Sequence, residues 1–259
     1  MHVARKRFGQ HFLHDKQIIE RLVNVINPNP GEHLVEIGPG QGALTVPVLK
    51  RVEQIDVVEI DWDLIPALKI RCLGKGALIA HQADALEFDF TTLIRTTELL
   101  RIIGNLPYNI STPLIFHLLE FAKHIQDMHF MLQKEVVDRL AAKSGDKAYG
   151  RLSVMVQYHC RVTALFDVPP AAFYPPPQVD SSIVRLVPHT ETLFRANDYS
   201  HFSDIVRVAF SHRRKTLRNC LKTMMTDEDW SKTDINPQLR PEQLGVEEYV
   251  KLSNILTEK

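Results

Sequence analysis

The fold is decided by the stretch His33-Leu34-Val35-Glu36-Ile37-Gly38-Pro39-Gly40-Gln41-Gly42, in which an apolar run of strand length meets three glycines. A helical pattern, Ala43 to Arg51, begins directly after it. Glycine lets the backbone turn sharply, so that a ligand can approach the N-terminus of the following helix. The stretch therefore predicts a strand, a ligand-binding loop and a helix, which together form the first unit of a parallel α/β sheet.

The same alternation of strand and helix patterns continues along the chain. It predicts a mostly parallel sheet with right-handed crossovers. The last two strands are joined by the proline-rich segment Pro169 to Pro177, so we expect that pair to be antiparallel. From about His189 the pattern is helical, with a linker near Pro188 to Asn197. The seven predicted strands cover residues 33–37, 54–60, 77–84, 101–104, 128–132, 161–168 and 182–187.

Composition limits the class of protein. The 259 residues are 44% hydrophobic, which is ample for a core without disulfides. Cys72, Cys160 and Cys220 are far apart with no C-x-x-C pair, so neither a disulfide framework nor a metal site is expected. No apolar run reaches the roughly 18 residues of a membrane span, and no signal peptide is evident. We therefore expect a cytoplasmic protein that does not enter a membrane.

The charge is unevenly distributed although the formal net charge is zero. Residues 1–16 carry four basic side chains and one acidic one, a net of +3, and residues 201–222 carry six and one, a net of +5. The rest of the chain therefore carries −8. Each cluster alone is compatible with an ordinary solvated helix face. Two such clusters favour a surface that grips nucleic-acid phosphates.

The tetrapeptide Asn105-Leu106-Pro107-Tyr108 follows the fourth predicted strand. The Asn105 side-chain oxygen and a neighbouring backbone carbonyl could accept hydrogen bonds from a purine amino group, and Tyr108 could stack on the base. Pro107 fixes its own φ and biases Leu106 toward an extended conformation. A proline turn after a buried strand would have the same sequence, so the position of the tetrapeptide in the sheet decides between the two.

Two acidic residues end the second and third predicted strands. Glu59 is suited to the hydroxyls of a ribose, and Asp84, followed by Ala85, to an adenine amino group. Because Ala43 follows the glycines, the loop also fits the G-x-G-x-x-A form of a dinucleotide site. A dehydrogenase would, however, leave Asn105 to Tyr108 without a role.

In this order and at these strand positions, the glycine loop, Glu59, Asp84 and the tetrapeptide resemble the class I S-adenosylmethionine-dependent methyltransferases that modify adenine N6. The chain is similar, essentially end to end, to the KsgA/RsmA family of small-subunit ribosomal RNA adenine dimethyltransferases. The resemblance implies a Rossmann-like catalytic domain with a seven-stranded sheet at residues 1–190 and a small all-helical RNA-binding domain at 191–259. The motifs that carry it are Arg5 to Leu13, Asn105 to Pro113, Tyr149 to Ser153, Phe173 to Ser181 and Arg213 to Asn219.

The family resemblance also implies residue roles. The S-adenosylmethionine site would comprise His11, Leu13, Gly38, Gly40, Gly42, Glu59, Asp84, Ala85 and Asn105, although many relatives carry asparagine where this chain has His11. Asn105, Leu106, Pro107 and Tyr108 would hold the target amine, with Phe173 on the other face of the base. An ordinary loop anchor is an equally good interpretation of Phe173. RNA phosphates would be bound by Arg5, Lys6, Arg7, Arg207, Arg213, Arg214, Lys215 and Arg218.

The implied substrate is a pair of adjacent adenosines in the 3′-terminal hairpin loop of 16S ribosomal RNA, presented on an immature small subunit to a monomeric enzyme. Two alternatives remain open. One is the related large-subunit RNA methyltransferase that confers macrolide resistance, which shares the cofactor core. The other is a mainly non-catalytic checkpoint in subunit assembly.

Overall fold

The structure is a computed structural model that describes residues 10–94, 98–191, 194–212 and 214–257. Its core is a sheet of seven strands in the order β4-β3-β2-β5-β6-β9-β7. A separate antiparallel ladder pairs two short strands, β1 (Phe12–Leu13) and β8 (Phe173–Tyr174). The strands of the large sheet are β2 (His33–Ile37), β3 (Gln54–Glu59), β4 (Ala77–Gln82), β5 (Leu100–Asn105), β6 (Ile125–Gln133), β7 (Cys160–Val168) and β9 (Ser181–Pro188).

The five strands β2 to β6 are parallel, as the sequence pattern predicts. Chain order reverses between β2 and β5, since β3 and β4 lie on one side of β2, and β5 and β6 on the other. Loops that follow two such strands diverge and leave a crevice beyond their carboxyl ends. The glycine loop follows β2 and Leu106 follows β5, so both segments border this crevice.

Strand β9 is antiparallel to β6, with Phe130 opposite Val184. It lies between β6 and β7. The Ser182 hydroxyl donates to the Phe166 carbonyl at 3.1 Å, and the His189 N–H donates to the His159 carbonyl at 2.9 Å. Both pairs of residue numbers have the same sum, which is the register of an antiparallel pair. The prediction that the last two strands are antiparallel is therefore confirmed.

The helices are α1 (Lys16–Ile26), α2 (Thr45–Val52), α3 (Ile65–Cys72), α4 (Ser111–Glu120), α5 (Lys134–Ala141), α6 (Arg151–His159), α7 (Tyr199–Ala209), α8 (Leu217–Cys220), α9 (Asp227–Ser231) and α10 (Val246–Thr257). Helix α1 directly follows β1. The Asp15 carboxylate caps it by accepting from the N–H groups of Gln17 and Ile18 at 2.8 and 3.1 Å. Its other end is held by Arg101, which donates to the Ile26 carbonyl at 2.6 Å.

The chain forms two compact units, one comprising Met1–Val137 with Thr163–Pro188, and the other Asp138–Val162 with His189–Lys259. The first contains β2 to β6 and β9. The second is mainly helical, and it includes α6 as well as the C-terminal helices. The predicted boundary at 190/191 coincides with the return of the chain to the second unit, but the pattern gave no sign that residues 138–162 belong there. The assignment of catalysis and RNA binding to separate domains stays a prediction.

Candidate active site

A cavity of about 340 Å³ opens beyond the carboxyl ends of the parallel strands. It lies in the first unit, at the crevice between the loops that follow β2 and β5. A cavity of this size is in the range of small-molecule and cofactor sites. Its lining includes eight of the nine predicted cofactor residues, namely His11, Leu13, Gly38, Gly40, Glu59, Asp84, Ala85 and Asn105, together with Leu106, Pro107 and Tyr108.

The glycine loop is shaped for close approach by a ligand. Gly38 has φ +67° and donates its N–H to the Val58 carbonyl at 2.9 Å, which ties the loop to β3. At Gly40, with φ +54°, a Cβ would lie 3.2 Å from the Phe12 ring, so no side chain fits between the loop and β1. Gly42 does not line the cavity. A Cβ there would lie 2.5 Å from Leu68, so this glycine lets α3 pack against the loop.

Glu59, at the end of β3, is buried and partly bonded. One carboxylate oxygen accepts from the Gly40 N–H at 3.1 Å and the other from the Asp61 N–H at 2.9 Å. Burial raises the pKa of this carboxyl, although the two backbone bonds oppose that effect. A carboxylate offers about four acceptor positions. Glu59 therefore keeps acceptor capacity for hydroxyl groups of a ligand in the cavity.

Asp84 follows β4 on the same edge of the sheet. Its Oδ1 accepts from the Leu86 N–H at 2.9 Å, which fixes the side chain in a turn with Oδ2 as a further acceptor. Ala85 is buried beside it and lines the cavity. The position suits an amino group on an adenine ring, as the sequence predicts.

Glu36, in β2, is a carboxyl group that sequence reasoning did not assign to the site. It lines the cavity, is buried, and its Oε2 has no hydrogen-bond partner within the described residues. Burial raises its pKa to about 8, and the neighbouring charge of Glu59 adds to the shift. The available signal was a lone glutamate inside an otherwise apolar strand.

We expect Glu36→Gln to change how stability depends on pH. Between pH about 4.5 and 8 the folded protein holds a proton on Glu36 that the unfolded chain releases, so the free energy of unfolding falls as pH rises. The wild-type value should therefore fall relative to the variant by about 1.4 kcal/mol per pH unit in this window. Urea unfolding at pH 5.5, 6.5 and 7.5 measures the difference, and parallel profiles would contradict the protonated state of Glu36.

The Asn105 carboxamide is oriented by the backbone of the N-terminal segment. Its Nδ2 donates to the His11 carbonyl at 2.9 Å, and a carbonyl can only accept. The nitrogen is thereby fixed toward His11, and Oδ1 is left as the acceptor beside the cavity. The next peptide is also held, because the Leu106 N–H donates to the Met131 carbonyl at 3.2 Å.

The Tyr108 ring is held at its hydroxyl and on one face. Its hydroxyl and that of Ser181, at the start of β9, are 2.8 Å apart, and burial raises the pKa of the phenol. The His11 ring stacks on Tyr108 with centroids 5.8 Å apart and an interplanar angle of 26°. His11 Nδ1 donates to the Pro175 carbonyl at 2.7 Å. Sequence reasoning missed this link between His11, Tyr108 and the proline-rich loop.

Phe173 is placed differently from the prediction. Its side chain is 2% exposed, belongs to the hydrophobic core cluster and does not line the cavity. In this conformation it cannot reach a base in the cavity, so the loop-anchor interpretation fits and the stacking role stays a prediction without structural support. The residue after it, Tyr174, is 73% exposed.

The N-terminal segment covers the cavity as the family resemblance implies. Gln10, His11, Phe12 and Leu13 all line it. The Gln10 side chain donates to the Asp61 carboxylate at 3.0 Å, so the segment is tied to the loop after β3. The three contacts from Gln10, Phe12 and His11 reach the loops after β3, β2 and β5 respectively.

The predicted RNA-binding side chains are only partly described. Arg5, Lys6, Arg7 and Arg213 lie outside the described residues. Arg207, Arg214, Lys215 and Arg218 are all exposed in the second unit. They do not share one helix surface, because the chain turns between α7 and α8 and places Arg214 and Lys215 in the turn. Arg207 pairs with Asp204 at 2.9 Å, and Arg218 pairs with Asp227.

Other kinds of site were searched for within the described ranges. No helix there has the length and apolarity to cross a bilayer. Nor do those ranges bring three or more histidine, cysteine or acidic side chains together in a way that suits a metal ion. Cys72, Cys160 and Cys220 are buried free thiols.

Comparison with known proteins identifies close relatives. A family model described as ribosomal RNA adenine dimethylase matches residues 1–258. The ribosomal RNA small subunit methyltransferase A of Marinomonas sp. (strain MWYL1) is 54% identical over 258 residues, which cover 100% of this chain and 97% of that protein. The protein of the same name from Pseudomonas aeruginosa is 56% identical over 257 residues, covering 99% and 96%.

Two solved structures share the architecture. A dimethyladenosine transferase from Plasmodium falciparum superposes with a TM-score of 0.79 at 26% identity, covering 93% of this chain and 96% of that one. The 23S rRNA methyltransferase ErmE superposes with a TM-score of 0.74 at 24% identity, covering 95% and 99%. At that identity the likeness to ErmE shows the fold alone.

Proposed function

Because the chain belongs to the ribosomal RNA adenine dimethylase family, we propose that it transfers methyl groups from S-adenosylmethionine to the N6 amines of two adjacent adenosines in the 3′-terminal hairpin loop of 16S ribosomal RNA. The enzyme class is that of a ribosomal RNA adenine dimethyltransferase with a class I methyltransferase fold. Relatives that are 53–56% identical are named for the small subunit. The large-subunit alternative has only the shared fold of ErmE in its favour, and a dehydrogenase is not supported.

The observation that carries the proposal is the fixed orientation of the Asn105 carboxamide. Its nitrogen is held by the His11 carbonyl, so its oxygen can only accept, and an adenine amino group can only donate here. The Tyr108 ring lies beside this oxygen on the lining of the same cavity. An acceptor and an aromatic ring in this arrangement match the edge and the face of a purine.

The residues of the cavity fit S-adenosylmethionine. Gly38 and Gly40 leave room for the methionine moiety, the acceptor capacity of Glu59 suits the ribose hydroxyls, and Asp84 suits the adenine amino group. When bound, this cofactor supplies a methyl group activated on a sulfonium. Gly42 is left out of this set because it packs against Leu68.

The protein residues contribute mainly by positioning the amine. The Asn105 oxygen and the Leu106 carbonyl would accept its two N–H bonds and stabilise the positive charge that develops on nitrogen. A strong base is not required, since the amine becomes acidic once it is alkylated and releases its proton late. Because a monomethylated amine must be accepted a second time, the pocket has to accommodate one N-methyl group.

We expect Arg214→Ala combined with Lys215→Ala to weaken binding to small ribosomal subunits. Both side chains are exposed in the turn between α7 and α8, where phosphates can reach them. Loss of two phosphate contacts should reduce the slope of log Kd against log salt concentration by roughly 1.5. Filter binding at several salt concentrations measures this slope.

A matched control is Lys50→Ala combined with Arg51→Ala, an exposed basic pair at the end of α2. Its salt slope should equal that of the wild type. If both double variants lose the same slope, the effect reflects overall charge and not a phosphate-binding turn in the second unit.

The proposal extends to the cellular setting. We infer a cytoplasmic enzyme that works as a monomer on an immature small subunit. It is tested with small subunits from cells that lack this protein. Incubation with the enzyme and S-adenosylmethionine should yield two N6,N6-dimethyladenosines in the 3′-terminal hairpin loop by mass spectrometry of the RNA. Absence of the modification, or its appearance in large-subunit RNA, would overturn the proposal.

A further inference from the structure

Tyr174 is an exposed aromatic residue beside a buried one. Its side chain is 73% exposed, whereas Phe173 is 2% exposed. The two form β8, and consecutive residues of a strand point to opposite faces. The side chain that this loop offers to solvent is therefore the Tyr174 ring, and Phe173 serves to anchor it.

The backbone beneath Tyr174 is fixed. Phe12 lies opposite Tyr174 in the β1–β8 ladder, and Leu13 lies opposite Phe173. One residue further, the His14 N–H donates to the Ala172 carbonyl at 3.0 Å. An aromatic ring on a fixed backbone loses little conformational entropy when a ligand stacks on it.

Tyr174 also lies next to the rim of the cavity. The following residue, Pro175, is exposed and accepts a hydrogen bond from His11. His11 in turn stacks on Tyr108, and both rings line the cavity, as does Phe12, the ladder partner of Tyr174. The exposed ring is thus separated from the lining residues by a single contact on each side.

We propose that the Tyr174 ring is a stacking platform for the RNA base adjacent to the adenine held in the cavity. This inference rests on the proposed function, because the two target adenosines are neighbours while the described residues form one cavity of about 340 Å³. The neighbouring base then remains outside, one nucleotide from the Asn105 oxygen. Single-stranded bases taken out of their stack are commonly accepted by exposed aromatic rings.

The kinetic experiment compares Tyr174→Ala, Tyr174→Phe and the wild type on small subunits from cells that lack the protein. Loss of one stacked base should raise KM for the subunit by about 5- to 30-fold and leave kcat unchanged. Tyr174→Phe retains the ring and should restore the wild-type KM. The control is Leu73→Ala, which removes a side chain that is 72% exposed at the end of α3. An unchanged KM for Tyr174→Ala, with an active wild type, overturns the platform and leaves the proposed function intact.

A photo-crosslink identifies the occupant. Tyr174→p-benzoyl-L-phenylalanine is irradiated on the same small subunits, with S-adenosylhomocysteine present to prevent turnover. We expect a crosslink to a nucleotide adjacent to a target adenosine. A crosslink to a ribosomal protein or to a distant RNA segment overturns the proposal. Failure of the wild type to methylate the subunits at all would be a failure of the proposed function, which the kinetic experiment detects separately.

Discussion

Asn105→Ala is expected to reduce kcat for adenine methylation by about 10²- to 10³-fold, the usual effect of removing one fixed hydrogen-bonding group that acts on developing charge. The variant loses the oxygen that the His11 carbonyl orients toward the cavity. Glu59 and Asp84, which would hold most of the cofactor, are untouched. Affinity for S-adenosylmethionine, measured by isothermal titration calorimetry, should therefore stay close to that of the wild type.

A matched control is Asn24→Ala. Asn24 is an exposed asparagine of α1 whose carboxamide bonds Arg51 at 3.0 Å, outside the cavity. This variant should methylate small subunits at the wild-type rate. Wild-type turnover by Asn105→Ala would remove Asn105 from the proposed mechanism, and an equal loss of cofactor binding would reassign it to the cofactor site.

Glu59→Ala is expected to raise the Kd for S-adenosylmethionine by at least about 100-fold, since hydrogen bonds to a charged group contribute roughly 1.5–3 kcal/mol each and two ribose hydroxyls lose their acceptor. The substitution also leaves the N–H groups of Gly40 and Asp61 without the carboxylate that now accepts from them. The glycine loop is therefore expected to lose its fixed conformation as well. Titration calorimetry measures the Kd directly.

Glu59→Gln separates these two effects. The amide retains one acceptor oxygen but presents N–H donors where the other oxygen accepts now, so its Kd should lie between those of the wild type and Glu59→Ala. Glu20→Ala, which removes an exposed carboxylate of α1, is the control and should bind normally. A wild-type Kd for Glu59→Ala would show that the ribose is held elsewhere.

Much of the first unit was predictable from the sequence because its strands are short apolar runs separated by helical patterns. All seven predicted strands exist, and most differ from the observed bounds by one or two residues at an end; β6 begins at Ile125, three residues before the predicted start. The position of Asn105 at the end of β5 followed from the same pattern. Parallel strands bring their carboxyl ends to one edge, which is why Glu59, Asp84 and Asn105 could be expected to meet.

The remainder of the site depends on contacts that leave no periodic signal. A two-residue strand such as β8 is too short to show which of Phe173 and Tyr174 faces inward; the pairing with β1 decides it. Gly42 looks like a cofactor glycine in sequence, but Leu68 packs where its Cβ would be. The contact of His11 with Tyr108 joins segments with no sequence pattern in common.

The site is held together by contacts between distant parts of the chain. Asn105 depends on His11, 94 residues earlier; Tyr108 on Ser181, 73 residues later; and His11 on the Pro175 carbonyl, 164 residues away. A ribosome that is still synthesising this enzyme therefore exposes a chain in which the amine-binding residues are already made but not yet held. Only when Ser181 has left the exit tunnel can the pocket close, so a nascent chain is not a working methyltransferase until about seven-tenths of it has been translated.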